Sequence, residues 1–377
     1  MRAYVYTDAG LERYAGRFVW LSINTEDAKN AAFLKRYPIP ALPTLLVLDA
    51  KRDTVALRYV GGATTPQLQK LLGDADKTYR AKSQSNADTL LAKGDRLASE
   101  GKQAEAAEAY DKALAAGAKS WSKYGRTAES LLFALSMAED NERCATRALA
   151  LYPRVKKTAS AANVTSTGLS CAVSLDKEHP KRVEWMKKLE AETREVFDDK
   201  SLTMSGDDRS GLYIALIDAR DAAGDEEEVV ELKHEWATFL EGVAAQAKTA
   251  EQRAVYDSHR LSAYLDLGTP EKAIPMLEQS ERDFPDDYNP PARLALAWNA
   301  LKKYDEALAA SDRALARVYG PRKITVLTAR ADIYAARGDA KAARETIQQA
   351  IEFAKSLPEG QRSDRRIASL EKRLSTM

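Results

Sequence analysis

Two hydrophobic rhythms divide the chain. Up to about residue 75 the apolar positions come in short runs; beyond residue 86 they recur every three or four residues. Arg17–Asn24 (Arg-Phe-Val-Trp-Leu-Ser-Ile-Asn) is aromatic and β-branched and predicts a buried strand. Thr44–Asp49 and Thr54–Val60 predict two more, joined by the polar turn Lys51-Arg52-Asp53. Between them Ala28–Tyr37 has helical spacing and stops before Pro38, Pro40 and Pro43, which cannot continue a helix. Thr65, with Pro66 at the first helical position, opens a further helix with Leu68, Leu71 and Leu72 on one face. The order expected over 1–75 is partial helix, strand, helix, strand, strand, helix. The polar stretch 76–86 reads as a linker, and 87–377 as Ala-rich helix throughout.

The helical part repeats itself. Gly101, Ala106, Tyr110 and Ala113-Leu114, with Gly94 and Leu97 upstream, set a spacing that returns at Gly268, Ala273, Leu277, Ser280 and Pro285. It returns again at Tyr304, Ala307, Ser311 and Ala314-Leu315, and at Gly338, Ala343, Ile347 and Ala350-Ile351. Ala273 and Ala307 are 34 residues apart, and Ala343 follows after 36. Period and residue types resemble the tetratricopeptide repeat. In such a unit two helices cross at small residues, larger ones fill the gaps between hairpins, and several pairs must stack because one cannot bury its face alone. Fainter copies at Leu132, Ala148-Leu149 and Pro153, at 158–197, and at Tyr213, Ile217, Gly224 and Val229 bring the count to six or seven pairs. Pro275 falls inside a second helix of this scheme and predicts a bend there.

The first 75 residues carry a different resemblance. Tyr14–Asn24, then Tyr37-Pro38-Ile39-Pro40-Ala41-Leu42-Pro43-Thr44-Leu45-Leu46-Val47-Leu48, then Tyr59-Val60-Gly61-Gly62 followed by Thr65-Pro66-Gln67-Leu68, resemble the later part of a thioredoxin-like α/β domain. The resemblance implies that Pro43 is a cis-proline, with Leu42 and Thr44 beside it making peptide contacts. It also implies a Cys-x-x-Cys at the start of the first helix, where the helix dipole activates one thiol. That dithiol and the strand before it do not occur in residues 1–75. The preferred expectation is that Met1 is internal to a longer gene product whose upstream part carries them; the alternative is a redox-inactive remnant. The expected fold is therefore an incomplete thioredoxin-like α/β domain (1–75), a linker (76–86) and an all-α tetratricopeptide superhelix (87–377).

Charge and composition narrow the chemistry. The chain has 57 basic and 56 acidic side chains, but residues 201–290 hold 8 basic against 20 acidic ones and residues 291–377 hold 17 against 10. The near-zero total gives no case for a nucleic-acid partner, and no apolar run approaches the roughly 18 residues of a membrane span. The opening Met1-Arg2-Ala3-Tyr4-Val5-Tyr6 lacks the apolar region of a secretory signal. Cys144 and Cys171, 27 residues apart on successive predicted helices, either pair in an oxidising compartment or fill helix crossings as small buried residues; the second is preferred. The three histidines, His179, His234 and His259, show no metal-binding spacing. No phosphate-binding loop or nucleophile elbow is present, and Gly168-Leu169-Ser170-Cys171 reads as a helix start.

Asp225–Glu228 opens a helix, where the dipole favours negative charge. Arg362, Arg365, Arg366, Lys372 and Arg373 form the polar face of a terminal capping helix, with Ile367, Leu370 and Leu374 opposite. Repeat arrays of the resembled family bind peptides along the first helix of each pair, which places Asp95, Ser262, Leu296, Asn299 and Asp332 in the groove. They do not make the Lys/Asn cluster with which some relatives hold a terminal carboxylate. The expected function is a protein-interaction scaffold without catalytic residues, cofactor or metal. Its partner would be a protein or peptide, drawn by the acidic 201–290 stretch if basic or mixed in charge. The alternative is a thiol–disulfide oxidoreductase whose repeats recruit clients, periplasmic if the start is internal; otherwise the chain is cytoplasmic.

Overall fold

The computed structural model describes residues 1, 3–81 and 83–377; Arg2, and Lys82 in the expected linker, lie outside the described residues. The chain forms two compact units, Met1–Phe18 with Tyr37–Leu232, and Val19–Arg36 with Lys233–Met377. No division falls at 76–86. Residues up to Arg80 belong to helix α2, Thr65–Arg80, which opens on a Thr64–Gln67 capping box.

In the first unit a short 3-10 helix, Ala9–Tyr14, precedes an antiparallel hairpin of β1 (Thr44–Asp49) and β2 (Thr54–Val60). The register runs from Thr44 opposite Val60 to Asp49 opposite Thr54, with one irregularity between Val47 and Leu48. The buried Asp49 carboxylate fastens the turn by accepting from the Lys51 and Arg52 amides at 2.9 and 3.2 Å. Strand β2 is covered on both faces. Leu57 and Tyr59 pack with Leu71 and Ala75 of α2, while the intervening Arg58 is buried too.

The expected strand Arg17–Asn24 does not form: its backbone takes no ladder, and Val19 and Leu21 are 88% and 77% exposed. A β-propensity run needs a partner edge to become a strand, and the only described sheet has two strands. A thioredoxin-like domain is therefore not shown by the structure.

Helical hairpins follow: α3 (Asn86–Ser99) with α4 (Gln103–Ala116), α5 (Tyr124–Met137) with α6 (Asn141–Val155), and α7 (Ala161–Val173) with α8 (Arg182–Asp198). Next come α9 (Gly206–Ala223) and α10 (Glu226–Ala245), and the boundary between the units falls within α10. The periodic small residues sit where the sequence pattern needs them. A Cβ on Gly94 would lie 2.5 Å from the Tyr110 ring, and Ala106 and Ala113 are fully buried. Gly168 lies well inside α7 and does not start it; a Cβ there would stand 2.3 Å from that of Ala148, so the missing side chain lets α6 and α7 touch.

The second unit continues with α11 (Ala250–Ala254), α12 (Asp257–Asp266), α13 (Ala273–Asp283), α14 (Asn289–Ala300), α15 (Tyr304–Arg317), α16 (Arg322–Arg337), α17 (Ala340–Ser356) and the terminal α18 (Asp364–Thr376). Pro275 produces no interior break: α13 begins at Ala273, so the ring occupies the first turn, where no intrahelical donor is needed. Gly338 closes α16 in the left-handed conformation (φ 89°), a role suited to glycine. Ile367 and Leu370 of α18 cover the apolar end of the stack with Ile347, Ile351 and Leu357.

The same unit includes an N-terminal strap that holds a 3-10 turn, Ala28–Asn30, and helix α1, Ala31–Arg36. Glu26 accepts from the Arg322 amide at 2.9 Å, capping α16, and Gln361 donates to the Thr25 carbonyl at 2.8 Å. A Cβ on Gly360 would come within 2.0 Å of the Ala31 carbonyl oxygen.

Cys144 of α6 and Cys171 of α7 form a disulfide, Cα–Cα 6.0 Å, both residues being buried. The two alternatives read from the sequence are thus not exclusive, because the pair also fills a helix crossing. Closing a loop between positions 27 apart restricts the unfolded chain by about 3–4 kcal/mol. Replacing both cysteines with alanine should lower the urea midpoint by a corresponding amount, measured under non-reducing conditions, with little change in helical circular dichroism.

Candidate functional site

The first helices of successive hairpins pack on one another, α5 on α7 and α7 on α9 in the first unit, and α12 on α14 and α14 on α16 in the second. Each unit thereby has a first-helix face, and most of the sequence-predicted binding residues fall on it. The two faces differ.

In the first unit the face is covered by β2. Asp95 of α3 is fully buried, and it cannot line an open groove as expected. Its Oδ1 accepts from the Tyr110 hydroxyl at 2.9 Å. Its Oδ2 accepts from Arg126 Nη1 of α5 at 2.9 Å and from the Arg58 amide at 3.2 Å. Arg126 Nη1 also donates to the Arg58 carbonyl at 3.1 Å, so this side-chain pair engages both backbone groups of one strand residue. Burial works against the Arg126 charge, yet the Asp95 carboxylate outweighs it and raises its pKa. Burial lowers the pKa of Arg58, whose Nε and Nη2 have no hydrogen-bond partner and whose guanidinium lies 5.8 Å from the Phe133 ring of α5.

One turn further along α5, Glu129 is half-buried. Burial first, and the neighbouring Asp208 carboxylate of α9 second, raise it to about 7, against hydrogen bonds from Ser160 and Tyr59 and the pull of Arg126. Asp208 is raised as well, mainly by burial, although it accepts from the Ser205 amide at 3.1 Å and from Asn163 Nδ2 at 3.2 Å. The single Tyr59 O–H is shared between Glu129 and the Gly62 carbonyl, 3.2 Å away. A Cβ on Gly62 would stand 3.2 Å from Asp207 Oδ2, which places the end of β2 against the first turn of α9.

Among the described residues, no strand covers the second unit's first-helix face. Ser262 and Asp332 are exposed, Leu296 is 39% exposed, and Asn299 is half-buried with an Oδ1 that accepts no hydrogen bond. Asp332 pairs with Arg373 of α18. The Leu42–Pro43 peptide bond is cis and leads into β1; Leu42 is 55% exposed, and the Thr44 hydroxyl donates to the Ala41 carbonyl at 2.7 Å. Among the described residues no group of three or more His, Cys, Asp or Glu could hold a metal, and no helix is long and apolar enough to cross a membrane.

The sequence did not point to Arg58, Tyr59, Arg126, Glu129 or Asp208. Its one usable signal was the presence of ionisable residues on helix faces otherwise built from Ala and Leu, as at Asp95 and Asp208.

Two outcomes follow from the charges. Asp95→Ala strands a buried guanidinium and should cost about 3–5 kcal/mol in urea unfolding, whereas Asp332→Ala breaks an exposed pair and should cost less than about 1 kcal/mol. Glu129 binds its proton more tightly folded than unfolded. Its stabilising contribution is therefore complete below pH 4.5 and is lost as the pH rises through about 7. Glu129→Gln should flatten the pH dependence of the stability read from urea unfolding across that window by on the order of 3 kcal/mol. Glu192, raised to about 7 by burial and by Glu195, contributes to the slope that remains.

Residues 289–356, α14 to α17, match the family profile described as tetratricopeptide repeat. No curated protein matches the chain. Among solved structures, a tetratricopeptide repeat protein from Parabacteroides merdae is similar at 9% identity and a TM-score of 0.49, covering 77% of this chain and 99% of its own. The TPR2AB domain of yeast Sti1 in its pHSP90 complex shares 16% identity (TM-score 0.27), covering 77% of this chain and 98% of that one. A thermophilic TPR protein from Thermus thermophilus shares 16% (TM-score 0.26), covering 77% and 97%. With the profile match, the stacked hairpins and the recurring small-residue crossings together, the chain carries tetratricopeptide repeats.

Proposed function

We propose that the chain is a protein-binding scaffold whose partner, a protein or peptide segment, is held on the first-helix face of the second unit. Tetratricopeptide repeats mediate protein–protein contacts, and the observation that carries the assignment to this face is the exposed Leu296 of α14. An exposed apolar anchor on a first helix suits a partner that supplies an apolar side chain to it. Ser262 on α12 and Asp332 on α16 extend the face to either side. The acidic 201–290 stretch favours a basic or mixed-charge segment. The Cys144–Cys171 bond supports residence in an oxidising compartment.

A second reading is favoured by one observation. The succession β1, β2 and α2 has the order of the closing part of a thioredoxin-like domain. On this reading the chain belongs to a thiol–disulfide oxidoreductase whose dithiol is encoded upstream of Met1. A polypeptide extended in frame upstream should then turn over protein disulfides; no turnover sinks the reading.

The scaffold reading is tested by selecting binders from a random peptide library on the whole chain. Leu296→Glu should weaken the selected peptides at least tenfold without altering circular dichroism. Equal binding by Leu296→Glu would rule this face out.

A further inference from the structure

The contact between β2 and the helices of the first unit differs in kind from the packing elsewhere in that unit. Toward α2, β2 turns Leu57 and Tyr59, and that interface is apolar. Toward α3 and α5 it meets the ionisable Asp95, Arg126 and Glu129, beside a small cavity that Ala56 and Leu57 line with Leu91 and Ala92 of α3. The amide and the carbonyl of Arg58 are read by an acceptor and a donor placed on two successive first helices. A carboxylate and a guanidinium arranged in this way recognise an extended backbone irrespective of its side chains, as a neighbouring strand would. Tyr59 adds a phenol bonded to Glu129. The hairpin's other strand is much less enclosed: β1 has one buried residue, Asp49, and Leu48 is 40% exposed.

We propose that β2 is a tethered ligand of the first unit's first-helix face: the face is a receptor for an extended strand, it is closed by the chain's own residues 54–62, and it opens to a partner strand of the same chemistry when the hairpin lifts away. The partner segment is extended. It offers the N–H and C=O of one residue to Asp95 and Arg126, and on the next residue a phenol to Glu129. A polar interface suits such an exchange, because each group released from it regains water, whereas an apolar core of equal area would not part without exposing hydrocarbon. The apolar contact with α2 need not break, since α2 and the hairpin can move together.

This inference concerns the first unit and does not rest on the assignment of the second unit's face, so either can fail alone. Native-state hydrogen exchange on the whole chain provides the first test. The Arg58 amide, whose hydrogen bond goes to Asp95 of α3, should exchange at least tenfold faster than the amides of Leu131–Leu135 and Ala145–Leu151, through an opening that leaves α5 and α6 protected. Exchange of β2 and these helices in a single step overturns the proposal.

The second test weakens the occupant and spares the receptor. Tyr59→Phe removes the phenolic hydrogen bond and keeps the packing on α2; Tyr59→Ala removes both. Either variant should raise β2 exchange further. It should also bind a synthetic Thr54–Gly62 peptide, measured by fluorescence anisotropy, at least tenfold more tightly than the parent chain does. If Tyr59→Phe exposes β2 yet gains no affinity for the peptide, or if it unprotects α5 and α6 along with β2, the strand is an integral part of the core and the proposal is wrong.

Discussion

A carboxylate without solvent must have its oxygens occupied, and Asp95 meets that demand from three directions: Tyr110 of its own hairpin, Arg126 of the next, and the backbone of β2. Each partner depends on the others. Tyr110 reaches Asp95 because Gly94 leaves room for its ring. Arg126 keeps its charge in a buried setting only because Asp95 is there. Strand β2 can lie against two first helices because its amide and carbonyl at Arg58 find an acceptor and a donor, where an apolar face would have left both unsatisfied. The order of elements in the first unit follows from this accounting: helices supply the polar pair, and the strand supplies the backbone that neutralises its unmet capacity.

The repeats were legible because their information is local. Ala307, Ala343 and Ala350 are fully buried at the spacing the sequence displays, and a crossing that admits only small residues marks the chain directly. The hairpin was legible for a similar reason, since β1, a four-residue turn and β2 lie within seventeen residues. Arg17–Asn24 was misread because propensity describes what a strand would bury, and only a neighbouring edge decides whether it is one. Asp95 was misread for the converse reason. It occupies a first-helix position that faces outward in an isolated array, and what covers it comes from 37 residues earlier in the chain. Leu296 and Ser262 hold comparable positions on the second unit's helices and remain exposed, so helix register alone could not separate covered from open.

The glycines show how far the covering segments are built into the helices that receive them. Gly320 and Gly360 lie between helices of the second unit, where a repeat would tolerate almost any turn residue. Yet a Cβ on either would run into the backbone of the strap, at Glu26 or Ala31. Glu26 caps α16 in place of a local side chain. The helical hairpins therefore do not simply end in loops; some of those loops are shaped for one particular stretch of N-terminal chain.

The same comparison distinguishes two kinds of cover. The strap is held in the second unit by backbone approach at glycines and by helix capping, contacts that are specific to it and difficult for another peptide to reproduce. The contact of β2 with α3 and α5 in the first unit is made largely through backbone groups that any extended segment offers, beside two carboxylates, Glu129 and Asp208, both pushed above their ordinary range. Ionising both places like charges together at the edge of the strand, offset at Glu129 by hydrogen bonds from Ser160 and Tyr59 and by the Arg126 charge. Of the two segments, β2 is the one whose place another chain can take.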